Sequence, residues 1–320
     1  MKPSRGADLL IGLAGCGRLA EIGYLPALER AEGIRLAALA DRDPGRCERL
    51  HVDVPAYAVA EELLDAGGVD ALVLATPVAA HLPDARLAAG RGVPTLVEKP
   101  PAPDARAAAA MAALEPPPWI GFNRRFEDGR DMLRAAARRP GEVEMSLLLH
   151  YRRRAWGAQA VADEALLDLG PHLVDLARWL SGREPRSVAA VSVGPEHADF
   201  SLDLGEGGRA RVSCAANRPH RELVEVRGAG GRRLARCRVG GVRPALVGRV
   251  ARRRGDHPLV NSLVRQLEAF GRAVRGTGDR DLATAADGYA AMTVIDAVHR
   301  SAAEGGSNVD IEAATVEAGL

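Results

Sequence analysis

The chain has 320 residues, 47% of them hydrophobic, and its 43 basic and 42 acidic residues give a formal charge of +1. This length favours two domains, and the balanced charge gives no electrostatic basis for a nucleic-acid partner. No apolar run reaches the roughly 18 residues that a membrane-spanning helix needs. The four cysteines are too widely spaced to indicate a metal site, and scattered thiols are typical of a reducing cytoplasm. We therefore expect a cytoplasmic protein without a metal, membrane or nucleic-acid partner.

The N-terminal segment begins with an apolar run, Leu9 to Ala14, that predicts a buried parallel strand. Gly15-x-Gly17-x-x-Ala20 and a helical pattern follow it, in the order of a dinucleotide-binding turn. Gly15 permits a tight turn, Gly17 lets the backbone approach a pyrophosphate, and Ala20 allows close packing of helix against strand. The helix start adds amide donors and a favourable dipole. The predicted cofactor site therefore includes the whole turn, with Cys16, Arg18 and Leu19.

The same stretch reads Leu-Ala-Gly-Cys at residues 13–16, which resembles a bacterial lipoprotein cleavage site. The apolar run in front of it is shorter than the core of a usual signal peptide. We therefore expect a strand and a cofactor turn here rather than a signal sequence.

A second apolar run, Ile34 to Ala40, ends at Asp41. Asp41 stands at about the 20-residue distance expected for the acid that binds the adenosine ribose; the alternative is a turn residue at the strand end. Arg42 follows directly and has the charge to accommodate a 2′-phosphate. The predicted cofactor is therefore NAD or NADP, with Asp41 favouring NAD.

Strands and helices continue to alternate up to residue 123, and Lys99 lies at the carboxyl end of one predicted strand. Ligands bind at those ends in open α/β sheets. Lys99 is one of only two lysines, the other being Lys2, in a chain that otherwise uses arginine. Lysine can release or accept a proton during a reaction, whereas arginine cannot. Lys99 is therefore a candidate catalytic residue; the alternative is chance survival of one lysine.

The second half contains short, partly alternating runs that predict an antiparallel sheet, and the segment at residues 165–182 contains a predicted helix. Pro171 suits a first helical turn, and Gly182 suits a C-terminal stop. Asp168, His172 and Asp175 recur at helical spacing beside an apolar face. If the helix reaches back to Asp168, its carboxylate can orient His172 as a general base. The alternative is a capping aspartate with a histidine satisfied in the core.

Several separated motifs resemble the Gfo/Idh/MocA oxidoreductases, the group of glucose–fructose oxidoreductase and inositol dehydrogenase, over nearly the full length of the chain. The motifs are Gly15-Cys16-Gly17, Ala75-Thr76-Pro77 with His81, Glu98-Lys99-Pro100, Gly121 to Phe126, and Asp168-x-Gly170-x-His172-x-x-Asp175. The resemblance implies that Lys99, Asp168 and His172 form the catalytic set and that the bond before Pro100 is cis. It also adds residues to the predicted cofactor site, namely Ala75, Thr76, Pro77, His81, Glu98, Lys99 and Asn123.

The implied fold class is α/β, with an N-terminal Rossmann domain and a C-terminal α+β domain that has an open, mainly antiparallel sheet. We expect the Rossmann domain at residues 1–122, with a C-terminal helix at about 283–304 packing back on it. The substrate-binding and oligomerisation domain is expected at residues 123–282. By the resemblance, the chain forms a homodimer or homotetramer through the C-terminal sheet.

The predicted reaction is hydride transfer between nicotinamide and a secondary alcohol, or the matching ketone, of a sugar, amino sugar, nucleotide sugar or cyclitol. His172 would take the hydroxyl proton, Lys99 would bind the same oxygen and stabilise developing charge, and Asp168 would hold His172. One alternative is a non-enzymatic dinucleotide-binding regulator on the same fold. Another is a reductase of a C=N or conjugated bond.

Substrate choice is expected to depend on positions where the chain departs from its relatives. Asp163 and Glu164 stand where family members often carry glycines, and residues 151–159 form a short arginine-rich loop. Candidate substrate-binding residues are Arg124, Arg152, Trp156, Asp168 and His172. The arginines at 152–154 are expected to form a solvated loop; the alternative is that Arg152, Arg153 and Arg154 make charge-assisted contacts with a phosphate or diphosphate of the substrate.

Overall fold

The computed structural model describes residues 7–152, 164–239 and 257–312. Among these, residues 7–127 and 257–289 form one compact unit, and residues 128–152, 164–239 and 290–312 form a second. None of the helices in the described ranges is long and apolar enough to cross a membrane. Strands and helices are numbered along the chain.

The first unit is built on a seven-stranded sheet. Its strands are β1 (Leu9–Ala14), β2 (Ile34–Ala40), β3 (Ala56–Tyr57), β4 (Ala71–Leu74), β5 (Thr95–Glu98), β6 (Trp119–Gly121) and β13 (Ala283–Thr284). Their order is β13-β6-β5-β4-β1-β2-β3, and all neighbours are parallel except β13, which pairs antiparallel with β6. The chain leaves β1 toward β2 and later returns to β4 on its other side. This reversal creates the crevice in which doubly wound sheets bind ligands.

Helices cover this sheet and complete its apolar core. They are α1 (Leu25–Leu28), α2 (Pro44–Arg49), α3 (Ala60–Ala66), α4 (Val78–Gly90), α5 (Ala105–Ala112) and α8 (Pro258–Val274). A π turn at Ala20–Tyr24 leads into α1, and the Leu25 N–H donates to the carbonyl of Ala20. The wider turn accommodates Pro26, which has no N–H and whose ring would crowd the carbonyl four residues earlier.

The second unit also contains a seven-stranded sheet. Its strands are β7 (Val143–Arg152), β8 (Ser187–Gly194), β9 (His197–Asp203), β10 (Gly208–Ala215), β11 (Asn217–Gly228), β12 (Arg233–Val239) and β14 (Asn308–Asp310). Their order is β12-β11-β7-β10-β9-β8-β14. The β7–β10 pair is parallel and the other neighbours are antiparallel, so the expected mainly antiparallel sheet is confirmed.

Two helices of the second unit, α6 (Arg130–Ala137) and α7 (Ala165–Ser181), pack on this sheet. Helix α7 ends as predicted at Gly182, which adopts φ +68° and donates its N–H to the carbonyl of Arg178. Its start was predicted too late. The helix begins at Ala165, so Pro171 lies inside it rather than in the first turn. Burial of the preceding turn, where Ala165 and Leu166 are fully buried, extends the helix past the proline.

The division into units differs from the boundaries expected from sequence. The first unit extends to Glu127 and includes α8, which was expected in the domain at residues 123–282. Helix α8 belongs there because Leu263, Leu267 and Phe270 are buried in the core of the first unit. Helix α9 (Ala285–Ala303) was expected to pack back on that unit, but its residues from 290 onward group with the second. The hydrogen bond from the Ala190 N–H to Ser301 Oγ, 2.8 Å, anchors the end of α9 to β8.

Candidate functional site

The turn after β1 brings the ends of β1 and β4 into close approach. Gly15 adopts φ +96°, and a Cβ atom at this position would lie 2.4 Å from the carbonyl carbon of Ala75. Only glycine fits, because the conformation and the space both exclude a side chain. The Gly15 N–H donates to the carbonyl of Ala40 at 2.8 Å, and the Ala75 N–H donates to that of Ala14 at 2.7 Å. The carboxyl ends of β1, β2 and β4 are therefore held together at this turn.

The space beside Gly17 fits a bound dinucleotide. A Cβ atom built on Gly17 meets no protein atom within 4 Å, so the backbone faces open space of the kind that a pyrophosphate requires. Thr76, which follows β4, hydrogen-bonds through its side chain with Asp84 of α4. Arg18, by contrast, forms an exposed ion pair with Glu21 at 2.8 Å.

Asp41 follows β2 and lies beside the glycine-rich turn. Its side chain is only 8% exposed, and Oδ2 accepts the N–H of Cys16 at 2.8 Å. Oδ1 accepts the N–H of Asp43 at 2.9 Å. The carboxylate therefore ties the end of β2 to the glycine-rich turn, and its remaining lone pairs can accept from hydroxyl groups.

Arg42 contributes positive charge near Asp84, in the middle of α4. Burial raises the pKa of Asp84 on α4, and the charge of Arg42 opposes this shift. Pro77 immediately precedes α4 as its N-terminal flanking residue.

His81 is a buried histidine that links the segments following β4 and β5. It is 1% exposed, and its ring nitrogens contact two backbone carbonyls, Nδ1 with Pro100 at 3.0 Å and Nε2 with Thr76 at 2.8 Å. Burial lowers the pKa of His81. These contacts position the loops after β4 and β5, and the cofactor contact implied for His81 by the resemblance stays a prediction.

Glu98 is a buried carboxylate next to Lys99 at the end of β5. Tyr24 donates its hydroxyl to Glu98 Oε1 at 2.5 Å, and the Lys99 N–H donates to Oε2 at 3.0 Å. Burial raises the pKa of Glu98, while the hydrogen bond from Tyr24 and the charge of Lys99 oppose the shift. The Lys99–Pro100 bond is cis, as predicted. Tyr24 was missed from sequence, because its partner is 74 residues away.

The short helical turn after β6 connects to α8. Asn123 is buried and donates from Nδ2 to Ser262 Oγ at 2.9 Å. Arg124 pairs with Glu127 at 3.0 Å within the same turn. Asn123 thus fixes the turn to α8.

In the second unit, α7 carries the predicted proton-transfer residues. Because the helix begins at Ala165, Asp168 has helical geometry and lies one turn before His172, on the same face. His172 and Asp175 are buried, at 6% and 1% exposure. Tyr151, at the end of β7, donates its hydroxyl to Asp168 Oδ2.

Tyr151 was not predicted as a functional residue. A signal was available in the alternation of β7, where Met145, Leu147 and Leu149 are buried and Tyr151 continues the same face. A tyrosine ending an apolar face toward α7 carries a hydroxyl that needs a polar partner. The partner itself could not be read from spacing.

The remaining residues predicted to affect substrate choice fall in or next to the segment between β7 and α7. Arg152 ends β7, and Glu164 precedes α7 and pairs with His299 at 2.7 Å. Arg153, Arg154, Trp156 and Asp163 lie outside the described residues. Within the described ranges, no group of histidine, cysteine and acidic side chains is arranged to hold a metal ion.

Comparison with known proteins gives two family matches. Residues 9–116 match the model described as "Oxidoreductase family, NAD-binding Rossmann fold". Residues 132–233 match the "GFO/IDH/MocA C-terminal domain". The first match spans β1 to β5 of the first sheet, and the second spans β7 to β11 of the second sheet.

Individual relatives carry names from the same family. The chain is 29% identical to the "Rhizopine catabolism protein MocA" of Rhizobium meliloti, covering 90% of this chain and 93% of that protein. It is 32% identical to "Inositol 2-dehydrogenase 4" of Saccharopolyspora erythraea, but that match covers only 58% of this chain and 57% of the relative.

Among solved structures, the scyllo-inositol dehydrogenase of Lactobacillus casei, described with bound NAD(H) and scyllo-inositol, is similar with a TM-score of 0.76. It shares 17% identity and covers 95% of this chain and 99% of its own, which establishes the shared fold. Both domain matches and the sheet order lead to one assignment. The chain belongs to the Gfo/Idh/MocA family of oxidoreductases and carries the family's NAD-binding Rossmann domain.

Proposed function

We propose that this oxidoreductase transfers hydride between nicotinamide and a secondary alcohol, or the matching ketone, of a cyclitol or related sugar. The observation that carries the proposal is the arrangement on α7, where Asp168 receives a hydrogen bond from Tyr151 and precedes His172 by one turn. A regulator that only bound dinucleotide would not need this set. The inositol dehydrogenases among the relatives make a cyclitol the first substrate class to test.

The residues have distinct roles in this proposal. His172 takes the proton from the substrate hydroxyl, and Asp168, held by Tyr151, orients the imidazole. Lys99 donates a hydrogen bond to the substrate oxygen and stabilises its developing negative charge. The nicotinamide, when bound, accepts or supplies the hydride.

The cofactor residues are proposed on the geometry of the first unit. The open space above Gly17 would receive the pyrophosphate, and Asp41 would accept hydrogen bonds from the ribose hydroxyls. The buried carboxylate of Asp41 disfavours a 2′-phosphate by like-charge repulsion, so we propose NAD rather than NADP.

We also propose a homodimer or homotetramer that assembles through the second sheet. The protein is proposed to work in the cytoplasm, because each of its four cysteines is free and unbridged thiols are typical of a reducing compartment.

The test combines binding with turnover. NADH binding is measured by nicotinamide fluorescence, and turnover is then screened with NAD⁺ or NADP⁺ and a panel of inositols, sugars and nucleotide sugars. Lys99→Arg should retain NADH binding but lower kcat by at least about 100-fold, because arginine is bulkier and cannot move its proton. Lys2→Arg, at the other lysine of the chain, is the matched control and should be silent.

A second variant pair tests whether the residues act together. Lys99→Ala and His172→Ala should each be severe, and the double variant should lose less than the product of the two effects, since one proton-transfer unit is being removed. NADH binding without turnover of any alcohol or ketone would favour the regulator, and near-normal turnover by Lys99→Arg would refute the catalytic role of Lys99.

A further inference from the structure

Two thiols meet inside the cofactor domain. Cys16, between the glycines of the turn, and Cys47, on α2, have their Sγ atoms 3.4 Å apart. Both are buried, at 4% and 7% exposure. The Cys47 S–H donates to the Cys16 sulfur, and the Cys16 S–H points to the carbonyl of Ala40 at 3.8 Å. A pair of thiols in contact differs from an isolated buried cysteine, because the two can react with each other.

The pair joins the two segments that hold Asp41. On one side, the Cys16 N–H donates to Asp41 Oδ2. On the other, the Asp43 N–H donates to Asp41 Oδ1, and Asp43 in turn caps α2 by accepting the N–H of Gly45 at 3.0 Å. Any movement of one sulfur toward the other therefore acts on the residues around the proposed ribose site.

We propose that Cys16 and Cys47 form a reversible dithiol–disulfide site whose oxidation weakens dinucleotide binding. The inference depends on the NAD-binding domain and not on the proposed substrate. It also fits a reducing compartment, where disulfides are usually transient and sense oxidants.

Hydrogen peroxide is the oxidant of suitable size for a buried pair. In the first step, one thiol and one peroxide give a sulfenic acid and water. In the second, the other thiol attacks the sulfenic sulfur, the S–S bond forms, and the hydroxyl leaves as a second water with the thiol proton. Two thiols lose two electrons in all, and one peroxide gains them.

The order of the two steps follows from the environments of the sulfurs. Burial raises the pKa of the Cys16 thiol, and the charge of Asp41 adds to the shift. Because the thiolate is the reactive form, Cys16 is a poor first nucleophile. Cys47 is also the more exposed of the two, at 7% against 4%, so the sulfenic acid forms on Cys47 and Cys16 resolves it.

Bond formation cannot leave the turn unchanged. A disulfide has an S–S distance of about 2.05 Å, so the sulfurs must approach by roughly 1.4 Å from their 3.4 Å separation. Both side chains are packed in the core of the first unit, and a close-packed core transmits such a displacement to the backbone. The turn that carries Gly17 then shifts, and the affinity for NADH falls.

Thermodynamic linkage gives a second consequence. If the disulfide weakens NADH binding by some factor, bound NADH must disfavour the disulfide by the same factor. Saturating NADH should therefore protect the pair from oxidation.

The experiment treats the full chain with hydrogen peroxide, blocks remaining thiols by alkylation, and digests the protein with trypsin without reduction. The expected product is the peptide of residues 6–18 linked to the peptide of residues 47–49. NADH affinity, followed by fluorescence, should fall by at least about tenfold, or 1.4 kcal/mol, and dithiothreitol should restore it. Cys47→Ala should bind NADH normally and be insensitive to peroxide.

Cys237→Ser is the matched control. Cys237 is partly exposed and belongs to the second unit, so this variant should respond to peroxide as the native protein does. Absence of the linked peptides while Cys237 is oxidised would overturn the site. Linked peptides with unchanged NADH affinity would overturn the effect on binding. Reduced protein that binds NADH but turns over no substrate would count only against the proposed reaction.

Discussion

At the scale of single residues, the buried carboxylate of Glu98, next to Lys99, makes the stability of the protein depend on pH. Burial raises the pKa of Glu98, so the native state binds a proton more readily than the unfolded chain. The free energy of unfolding therefore falls as the pH rises above the ordinary value of 4.5. The Tyr24 hydroxyl stabilises the ionised carboxylate and limits this fall.

Tyr24→Phe should destabilise the protein in a pH-dependent way. The expected loss at pH 8 is about 1–3 kcal/mol, the cost of leaving a buried charged group short of a donor. The loss should be smaller near pH 5, where Glu98 takes up a proton more easily. Urea unfolding at the two pH values measures it, with Tyr57→Phe on β3 as control. An equal loss at both pH values would contradict the role given to the hydroxyl.

In the second unit, Tyr151 donates its hydroxyl to a carboxylate, Asp168, as Tyr24 does to Glu98 in the first. Tyr151→Phe keeps the ring but removes the donor to Asp168, and a hydrogen bond to a charged group contributes about 1.5–3 kcal/mol. We expect kcat to fall by about 10- to 100-fold with NADH affinity unchanged, since the cofactor turn belongs to the other unit. Ser146→Ala, on the opposite face of β7, should have little effect. Steady-state kinetics across a pH series checks this, and an unchanged kcat would show that Asp168 needs no such donor.

At the scale of elements, the C-terminal turn of α9 depends on two glycines with different surroundings. Gly305 and Gly306 have φ values of +72° and +88°. A Cβ atom on Gly306 would lie 2.6 Å from the carbonyl oxygen of Ala190 in β8, whereas one on Gly305 would meet nothing within 4 Å. The Gly306 N–H also donates to the carbonyl of Ser301 at 2.8 Å, closing the helix.

Alanine at the two positions should therefore have unequal costs. Gly305→Ala should lower the free energy of unfolding by roughly 1–2 kcal/mol, the cost of the left-handed conformation alone. Gly306→Ala should cost about 1–3 kcal/mol more, because it must also displace the β8 backbone. Urea unfolding of both variants gives the difference, and equal stabilities would contradict the close approach of the turn to β8.

Sequence patterns predicted these elements where one local signal was sufficient. The apolar runs gave β1 and β2 with correct bounds, and Gly182 marked the end of α7. The start of α7 was wrong because burial of its first turn outweighs the proline. The donors from Tyr24 and Tyr151 could not be predicted, because each hydroxyl finds its carboxylate only through tertiary packing.

At the scale of the whole molecule, the chain after residue 256 does not stay in one unit. Helix α8 returns to the first unit, and most of α9 belongs to the second. Both helices are amphipathic in sequence, and periodicity shows that a helix has an apolar face but not which sheet receives it. The domain boundary was therefore the least predictable feature of the fold.

The proposed assembly through the second sheet is the remaining expectation at this scale. The face of this sheet that carries Ser146 and Leu148 contains a groove of about 390 Å³. Val191 lies at this groove and is 77% exposed. With half-buried Leu148 and Leu223 at the same groove, Val191 forms an apolar patch that a partner could cover, and an isologous contact between copies would bury the same face on both.

Val191→Asp should weaken the assembly without unfolding the subunit. The side chain is exposed within one chain, but in a dimer its carboxylate would lose water and meet an apolar surface, which is costly. We expect the subunit dissociation constant to rise by at least about tenfold, or 1.4 kcal/mol, as measured by sedimentation over a concentration series. Met132→Asp, at a 49% exposed apolar residue on α6, is the matched control and should leave assembly unchanged. A native protein that sediments as a monomer at all concentrations, or equal effects of the two substitutions, would remove this face as the interface.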